Sequence, residues 1–296
     1  MHMQATPPQD TGKFRENSKD QFYTKPAVAA ECVRALLEHL GDSASEYLWI
    51  EPSAGAGAFL VSLPPALEHI GIDIEPHGEG IVAANFLEWT LPPLPPGKKV
   101  CCFGNPPFGR QSSLAKAFIR RAAEFSDVIA FILPRSFVKP SMSGAFPLQF
   151  HCVHTHDIPP NSFSVNDEDY DVPCVFQIWQ ARDEDRTLEA KVLPVGFAYV
   201  KSDAAGDADY DLAFRRVGVF AGRCFKKSTM EKYSAQSHYF LKFERRDGLD
   251  IDALIEGINA HEFPTNTVGP RSLSKSEANL VINQLLLAAA QAQAES

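Results

Sequence analysis

Asn105-Pro106-Pro107-Phe108 places one carboxamide, two rigid links and one aromatic ring directly behind an apolar run, Val100-Cys101-Cys102-Phe103. The run has no polar helical face and reads as a buried strand. Each proline fixes φ and removes an N–H, and Pro106 holds Asn105 extended. The loop is therefore stiff, and it offers an amide side chain, uncommitted backbone carbonyls and a ring at a strand's C-terminal end. In an open α/β sheet, ligands bind at that end. A neutral pair of acceptors beside a flat ring suits a planar group that bears an amine. A proline-rich turn that only stops the strand is the alternative these four residues leave open.

Further chemistry-bearing residues precede this loop. Glu51-Pro52-Ser53-Ala54-Gly55-Ala56-Gly57 follows a buried strand, Tyr47-Leu48-Trp49-Ile50, and leads into an expected helix start near Ala58. Strand, carboxylate, small-residue loop and helix make the first half of a nucleotide-binding βαβ unit, whose small residues let backbone approach a ligand. Glu51 suits a cationic or hydroxyl-rich ligand better than a pyrophosphate. A second strand, Leu67–Ile72, ends in Asp73-Ile74-Glu75. An acidic side chain there, roughly 20 residues past the glycines, is placed to grip ribose hydroxyls, with Asp73 preferred and Glu75 the alternate. Asn85 and Phe86 end a third short strand, Ile81–Ala84. They are candidates for an adenine edge and face, or else a capped turn with Phe86 and Trp89 in the core.

The elements that must position these groups are readable in order. Val28, Cys32, Ala35, Leu36 and Leu40 recur at helical spacing behind Thr24-Lys25-Pro26, with Pro26 in the first turn and Thr24 a plausible cap. A second amphipathic helix carries Leu114, Ala117, Phe118, Ala122 and Phe125 inward and Lys116, Arg120 and Arg121 outward. Asp127–Leu133 is an all-apolar strand, and Leu148–His156 and Val172–Trp179 are two late strands with no helix between them. Alternating strand and helix followed by paired strands describes a mostly parallel sheet with a late antiparallel insertion.

At 296 residues, with 45% hydrophobic and 22% charged, the chain can bury a core of ordinary globular kind. No apolar run approaches the ~20 residues of a membrane span, so no membrane partner is expected. Residues 1–19 read as a polar tail without a secretory signal. Six scattered cysteines fit free thiols in a reducing compartment, cytoplasmic or nuclear. The net charge of −9 argues mildly against indiscriminate nucleic-acid binding and leaves room for a local basic track. One segment supplies it: Leu212 to Arg246 holds nine basic residues (Arg215, Arg216, Arg223, Lys226, Lys227, Lys232, Lys242, Arg245, Arg246) against Glu231 and Glu244, hence +7. Phe214, Phe220, Phe225, Tyr233, Tyr239 and Phe240 are interleaved, the pairing that a phosphate-tracking, base-stacking surface requires. A solvated charged face is the plainer alternative. The charged stretch Ala181–Ala190 marks the expected boundary, giving a catalytic domain over 20–182 and a smaller region over 183–296.

Taken together, Phe22-Tyr23-Thr24-Lys25-Pro26, the Glu51–Gly57 loop and Asn105-Pro106-Pro107-Phe108 stand in an order that resembles the class I S-adenosylmethionine-dependent N6-adenine amino-methyltransferases. The resemblance spans roughly residues 20–180. It implies a Rossmann-like α/β domain with a mostly parallel seven-stranded sheet, and a C-terminal α+β target-recognition region. It also implies methyl transfer from S-adenosylmethionine to the exocyclic N6 amine of adenine in DNA or RNA. Asn105, Pro106, Pro107 and Phe108 would be the catalytic loop, and Tyr23 and Thr24 would meet the cofactor's methionine end. Glu51, Ser53, Gly55 and Gly57 would line the cofactor cavity, Asp73 or Glu75 would hold ribose, and Asn85 and Phe86 the adenine. The chain departs at Asn85, where this family commonly has Asp, so altered contacts are expected there. Phe163 is a candidate for the second face of the target base, against core packing. Arg215, Arg216, Arg223, Lys226, Lys227 and Tyr239 are candidate substrate contacts. The recognition region is short for a long duplex site, which favours RNA or a single strand, and a partner subunit is a further expectation.

Two other functions share these features: methylation of a glutamine side chain on a protein, and an inactive methyltransferase fold kept as a nucleic-acid-binding subunit. His151, Cys152, His154 and His156 raise a metal site, with Cys152, His154 and His156 sharing one strand face. No second ligand pair follows at a zinc spacing, and no metal is expected.

Overall fold

A computed structural model describes residues 22–165, 168–188, 190–201, 209–227, 233–244, 249–264 and 271–294. The expected 1–19 tail, Asp167, Glu231, Lys232, Arg245 and Arg246 lie outside the described residues. The chain forms two compact units, Met1–Leu188 and Glu189–Ser296.

In the first unit the elements run β1 (Tyr23–Thr24), α1 (Pro26–Leu40), β2 (Tyr47–Glu51), β3 (His69–Asp73), β4 (Val82–Ala83), β5 (Lys99–Gly104), α2 (Ser113–Ala123), β6 (Val128–Pro134), α3 (Pro140–Ser143), β7 (Phe150–Asp157), β8 (Phe163–Val165), β9 (Glu168–Tyr170) and β10 (Cys174–Ala181). Seven strands form one sheet in the order β4-β3-β2-β5-β6-β10-β7. The first five are mutually parallel, and β10 runs antiparallel to both β6 and β7. This is the mixed α/β sheet expected from the sequence. β2, β5 and β6 read as continuous apolar runs because both of their faces are buried. Alternate side chains serve the two faces: Leu48, Ile50, Cys102, Ile129 and Phe131 cluster with Ala115, Phe118, Ile119 and Ala122 of α2. Trp49 meets Phe103 edge-on at 5.3 Å, and Phe59 meets Phe103 at 6.1 Å.

The strand order reverses at β2 and β5, whose connections leave in opposite directions. The crevice beyond their C-terminal ends is the topological switch point of such a sheet. Glu51 ends β2 and Asn105 follows β5 directly, so the fold delivers both chemical loops to one crevice.

Three local expectations are corrected. No α-helix follows the glycine loop; the chain makes a single 3-10 turn, Leu60–Ser62. Pro64 and Pro65 explain it, because a helix begun at Ala58 would lose hydrogen bonds at both and would need Leu63 in a conformation that a following proline disfavours. Among the described residues, none of the connections between β2 and β5 contains an α-helix. The second correction is at α1: Pro26 occupies its first turn as expected, but Lys25 stands at the cap position and no side chain caps the helix. Thr24 is used elsewhere. The third concerns β7, where the register against β10 shifts between Ile178 and Trp179. The bulge inserts one residue and reverses the alternation beyond it. Cys152 therefore meets Thr155 (Sγ···Oγ1 3.3 Å) while His154 Nε2 lies 2.9 Å from His156 Nδ1, so the three side chains do not share a face. Among the described residues, no group of three His, Cys, Asp or Glu side chains could hold a metal.

The second unit is α+β. Strands β11 (Phe197–Val200), β12 (Leu212–Arg215), β13 (Cys224–Lys226) and β14 (His238–Phe243) form an antiparallel sheet ordered β11-β14-β12-β13. Helices α4 (Ile251–Ala260) and α5 (Lys275–Ala294) supply Leu254, Ile258, Ala278, Val281 and Ile282 to a core with Phe197, Leu212, Phe214, Leu241 and Phe243. Asp250 caps α4 by accepting from the Asp252 and Ala253 N–H groups. Among the described residues, no helix is long and apolar enough to cross a membrane.

Candidate functional site

The rigid Asn105 loop is held from three directions. Asn105 Nδ2 donates to the Phe22 carbonyl and to Thr24 Oγ1, each at 3.1 Å. Ser53 Oγ donates to the Asn105 carbonyl at 3.0 Å. With both amide hydrogens committed, the side-chain oxygen is fixed in direction, and Oδ1 is shielded from solvent with no hydrogen-bond partner. Nearly every buried acceptor in a folded protein is satisfied, so an acceptor oriented this firmly and left unused marks a place for an outside donor. Pro106 is buried, Pro107 half-buried and Phe108 buried, with the Phe108 ring 5.8 Å from that of Phe22.

The N-terminal segment that supplies these partners is itself tied down. β1 pairs antiparallel with β8, setting Tyr23 opposite Ser164 and Thr24 opposite Phe163. Lys25 N–H donates to the Ser162 carbonyl at 3.0 Å, and Lys25 Nζ meets Asp169 at 2.7 Å. Phe22 stacks on Tyr170 at 5.2 Å. Phe163 is 0% exposed and meets Phe22 edge-on at 6.5 Å. It therefore packs inside this strap, and its expected role over a target base is replaced by the core alternative.

The glycine loop lies beside the Asn105 loop. A Cβ on Gly104 would come within 3.1 Å of Glu51 Cγ, and one on Gly55 within 3.2 Å of the Tyr23 ring. Gly55 and Gly57 have φ of +52° and +82°, conformations that only glycine adopts without strain. Asp73 clamps this loop: one oxygen accepts from Gly55 N–H at 2.7 Å and the other from Glu75 N–H at 2.8 Å. Each oxygen keeps a lone pair, so Asp73 can shape the loop and still accept from a hydroxyl. Glu75 is exposed. Glu51 is 1% exposed, and its Oε2 has no partner. Burial pushes its carboxyl well above the ordinary range; a hydrogen bond from the Leu60 backbone opposes this and Asp73 adds to it. A positive charge placed in the crevice would restore the ionised form.

The expected adenine pair divides. Asn85 Oδ1 accepts from Leu87 N–H at 3.1 Å, and the Asn85 carbonyl accepts from Glu88 and Trp89, so Asn85 caps a turn and leaves its Nδ2 available. Phe86 is 2% exposed and packs on Phe118 and Phe125 at 5.3 and 6.1 Å; it is a core residue, as the alternative had it. Ile74, which the sequence reading passed over, is 76% exposed between Asp73 and Glu75. Its signal was present: a β-branched apolar residue sits between two acidic ones at a strand tip.

In the second unit the basic and aromatic tract is largely used by the fold. Phe214 and Phe240 are buried, and Tyr239 donates to the Leu273 carbonyl and carries Arg216 over its ring at 5.2 Å. Lys226 pairs with Asp252 at 2.8 Å, and Lys227 lies 5.2 Å over Tyr210. Arg215 donates to the Val217 carbonyl at 3.2 Å, and Arg223 is exposed. The expectation of a continuous stacking surface is thus corrected to a smaller set, in which Phe220 at the tip of one loop and Arg223 at its base remain exposed.

No family model matches the chain, and no curated protein matches it. Among solved structures it is similar to a protein of Pyrococcus horikoshii provisionally assigned as an RNA methyltransferase, at 18% identity and a TM-score of 0.43, over 57% of this chain and 90% of that one. It is similar to a Listeria monocytogenes protein provisionally assigned as a class I S-adenosylmethionine-dependent methyltransferase, at 13% identity and a TM-score of 0.41, over 58% of this chain and 64% of that one. It is also similar to a modification subunit, provisionally assigned to a type I restriction enzyme, from Vibrio vulnificus, at 13% identity and a TM-score of 0.40, over 88% of this chain and 58% of that one. All three scores lie below 0.5; what this chain does must come from its own residues.

Proposed function

We propose that this chain methylates the exocyclic N6 amine of adenine in nucleic acid, using S-adenosylmethionine. The observation that supports it best is Asn105, whose Nδ2 is bound to Phe22 and Thr24 while its shielded Oδ1 has no donor. An adenine amine is a weak nucleophile because its lone pair is delocalised into the ring. Accepting its two hydrogens on Asn105 Oδ1 and the Pro106 carbonyl returns electron density to nitrogen. It also stabilises the positive charge that develops there, an effect worth about 3–4 kcal/mol for one preorganised group. No strong base is needed beforehand, because the methylated nitrogen is acidic and then gives its proton to solvent.

The residues present fit the cofactor. When bound, S-adenosylmethionine supplies a methyl group already activated on a sulfonium. Glu51, buried and with an unused oxygen, would balance positive charge in the crevice. Asp73 would accept from ribose hydroxyls through its remaining lone pairs, and exposed Ile74 offers a flat ring an apolar contact. Tyr23, packed on Gly55, would wall the methionine end. A target base has to leave any duplex to reach Asn105. The second unit is proposed as the target-recognition region.

The experiment is transfer of labelled methyl to matched RNA, single-stranded DNA and duplex DNA, followed by digestion to nucleosides. N6-methyladenine should carry the label, and Asn105→Ala should remove it while leaving cofactor affinity within about threefold, about 0.7 kcal/mol. Label in a protein glutamine, or turnover unaffected by Asn105→Ala, would overturn the reading.

A further inference from the structure

Two strongly exposed apolar side chains of the second unit are neighbours in one loop. Val219 is 86% exposed and Phe220 is 61% exposed, at the tip of the loop joining β12 to β13. The tip is built to hold them out. Gly218 and Gly222 flank it with φ of +101° and +99°, and Ala221 N–H donates to the Gly218 carbonyl at 2.9 Å. At the base, Arg215 N–H donates to the Arg223 carbonyl and Gly222 N–H to the Arg215 carbonyl, both at 2.8 Å. Ala221 is buried, and Gly222 lies so close to Phe263 that a Cβ there would stand 2.5 Å from its ring. A second segment braces the loop: Gly218 N–H donates to the Arg271 carbonyl, and Val217 bridges Ser272. The loop is thus a fixed projection ending in two apolar side chains.

Its surroundings are cationic. From Leu212 to Lys227 the sequence holds five basic residues and no acidic one, within a chain of net charge −9. Arg215, Arg216 and Arg223 stand at the loop's base, and Arg271 joins them through the brace. A complementary partner must be apolar and flat at its centre and anionic on both sides. A base step between two phosphate backbones has that form, and aromatic or aliphatic wedges enter such steps. A membrane surface is matched less well, since one Val and one Phe bury too little to anchor a protein.

We propose that Val219-Phe220 is a wedge that inserts into the base stack of the nucleic-acid substrate, with exposed Arg223 holding a flanking phosphate. It deepens the proposed methyl transfer, on which it rests, by assigning part of the work of freeing a base to this loop.

The test is binding of the full chain to fluorescein-labelled oligonucleotides by anisotropy, with 2-aminopurine in a parallel set to report unstacking. Phe220→Ala should weaken binding roughly tenfold, the size of one lost base–aromatic stack, and abolish the 2-aminopurine rise. Phe220→Trp should retain both. Arg223→Gln should lower the slope of log affinity against log salt by about one phosphate contact. Phe220 is exposed, so circular dichroism should show all three variants folded. The inference falls if Phe220→Ala binds like the wild type. It also falls if Phe220→Trp loses the unstacking signal, or if wild-type chain binds phosphatidylserine vesicles in a Phe220-dependent way and oligonucleotides independently of it. Running the same assays on Asn105→Ala separates the two proposals. Phe220-dependent binding without methyl transfer in the wild type would overturn only the reaction; methyl transfer with Phe220-independent binding would overturn only the wedge.

Discussion

Replacing Glu51 by Gln keeps the side chain's shape and removes its charge, and the structure sets the sign of two consequences. Glu51 is buried with its carboxyl held well above the ordinary range, chiefly by desolvation. The folded chain therefore keeps a proton there that the unfolded chain gives up near pH 4.3. Folding then loses stability as pH rises from that value toward the folded-state pKa, at up to about 1.4 kcal/mol per pH unit, and is level above it. Glu51→Gln lacks this loss, so its stability advantage over the wild type should grow with pH across that window. Cofactor binding carries the opposite sign. A cationic ligand favours the ionised carboxylate, so wild-type affinity should rise by up to about tenfold per pH unit below the folded-state pKa, and binding should release up to one proton. Calorimetric titration between pH 5 and 6, in buffers of different ionisation enthalpy, counts those protons directly. The α-amino group of the ligand keeps its own proton in that range, since such groups titrate near ~7.7. Wild type should release protons and Glu51→Gln should release none, with a pH-independent affinity. Equal proton counts in the two proteins, or a stability difference that does not change with pH, would refute the assignment of Glu51 as a buried, cofactor-ionised carboxyl.

Other perturbations probe the same crevice and its supports. Asn105→Ala should lower kcat by about 10²–10³, the usual cost of one preorganised polar group, in single-turnover methyl transfer. Thr24→Val removes the oxygen that takes one Asn105 hydrogen and should cost about 1 kcal/mol of transition-state stabilisation, read as a fall in kcat of about fivefold with KM for the cofactor little changed. Gly55→Ala would set a Cβ 3.2 Å from the Tyr23 ring at a φ of +52°; thermal unfolding should show a loss of roughly 1–2 kcal/mol and calorimetry a weaker cofactor. Lys25→Met removes an ion pair whose Asp169 partner is mostly exposed and should change stability by no more than about 1 kcal/mol, with the site's affinity unaltered.

Much of the first unit is written in local pattern. β5 and β6 are continuous apolar runs because the sheet is covered on both faces there, and Pro106 and Pro107 announce the end of β5 regardless of what surrounds them. The switch-point crevice follows from strand order, so Glu51 and Asn105 could be brought together on paper. What the sequence hid was mostly long-range. Thr24 has the chemistry of a helix cap, and only the pairing of β1 with β8 turns its hydroxyl toward Asn105. Phe163 and Phe86 look like free aromatic rings beside a site, and burial in their packing clusters assigns them to the core. The bulge in β7 broke a period-two argument that nothing in Phe150–Asp157 itself betrays. Pro64 and Pro65 were visible all along and should have cancelled the helix expected after the glycines. The basic stretch showed its charge plainly but not its pairing, since Asp252 and Tyr210 claim Lys226 and Lys227 from outside it.

The pairing of Tyr23 with Ser164 has a consequence for how the protein is made. A ribosome working at ~5–20 residues per second releases the first partner on the order of ten seconds before the second. In the last part of that interval, once Phe108 has been made, the nascent chain holds both chemical loops but lacks the hairpin that fastens the Phe22 segment over them. The crevice therefore closes late in synthesis, just before β10 completes the sheet. A messenger cut short before the codon for Phe163 would yield a chain whose sheet strands through β6 are all present and whose Asn105 has no fixed direction.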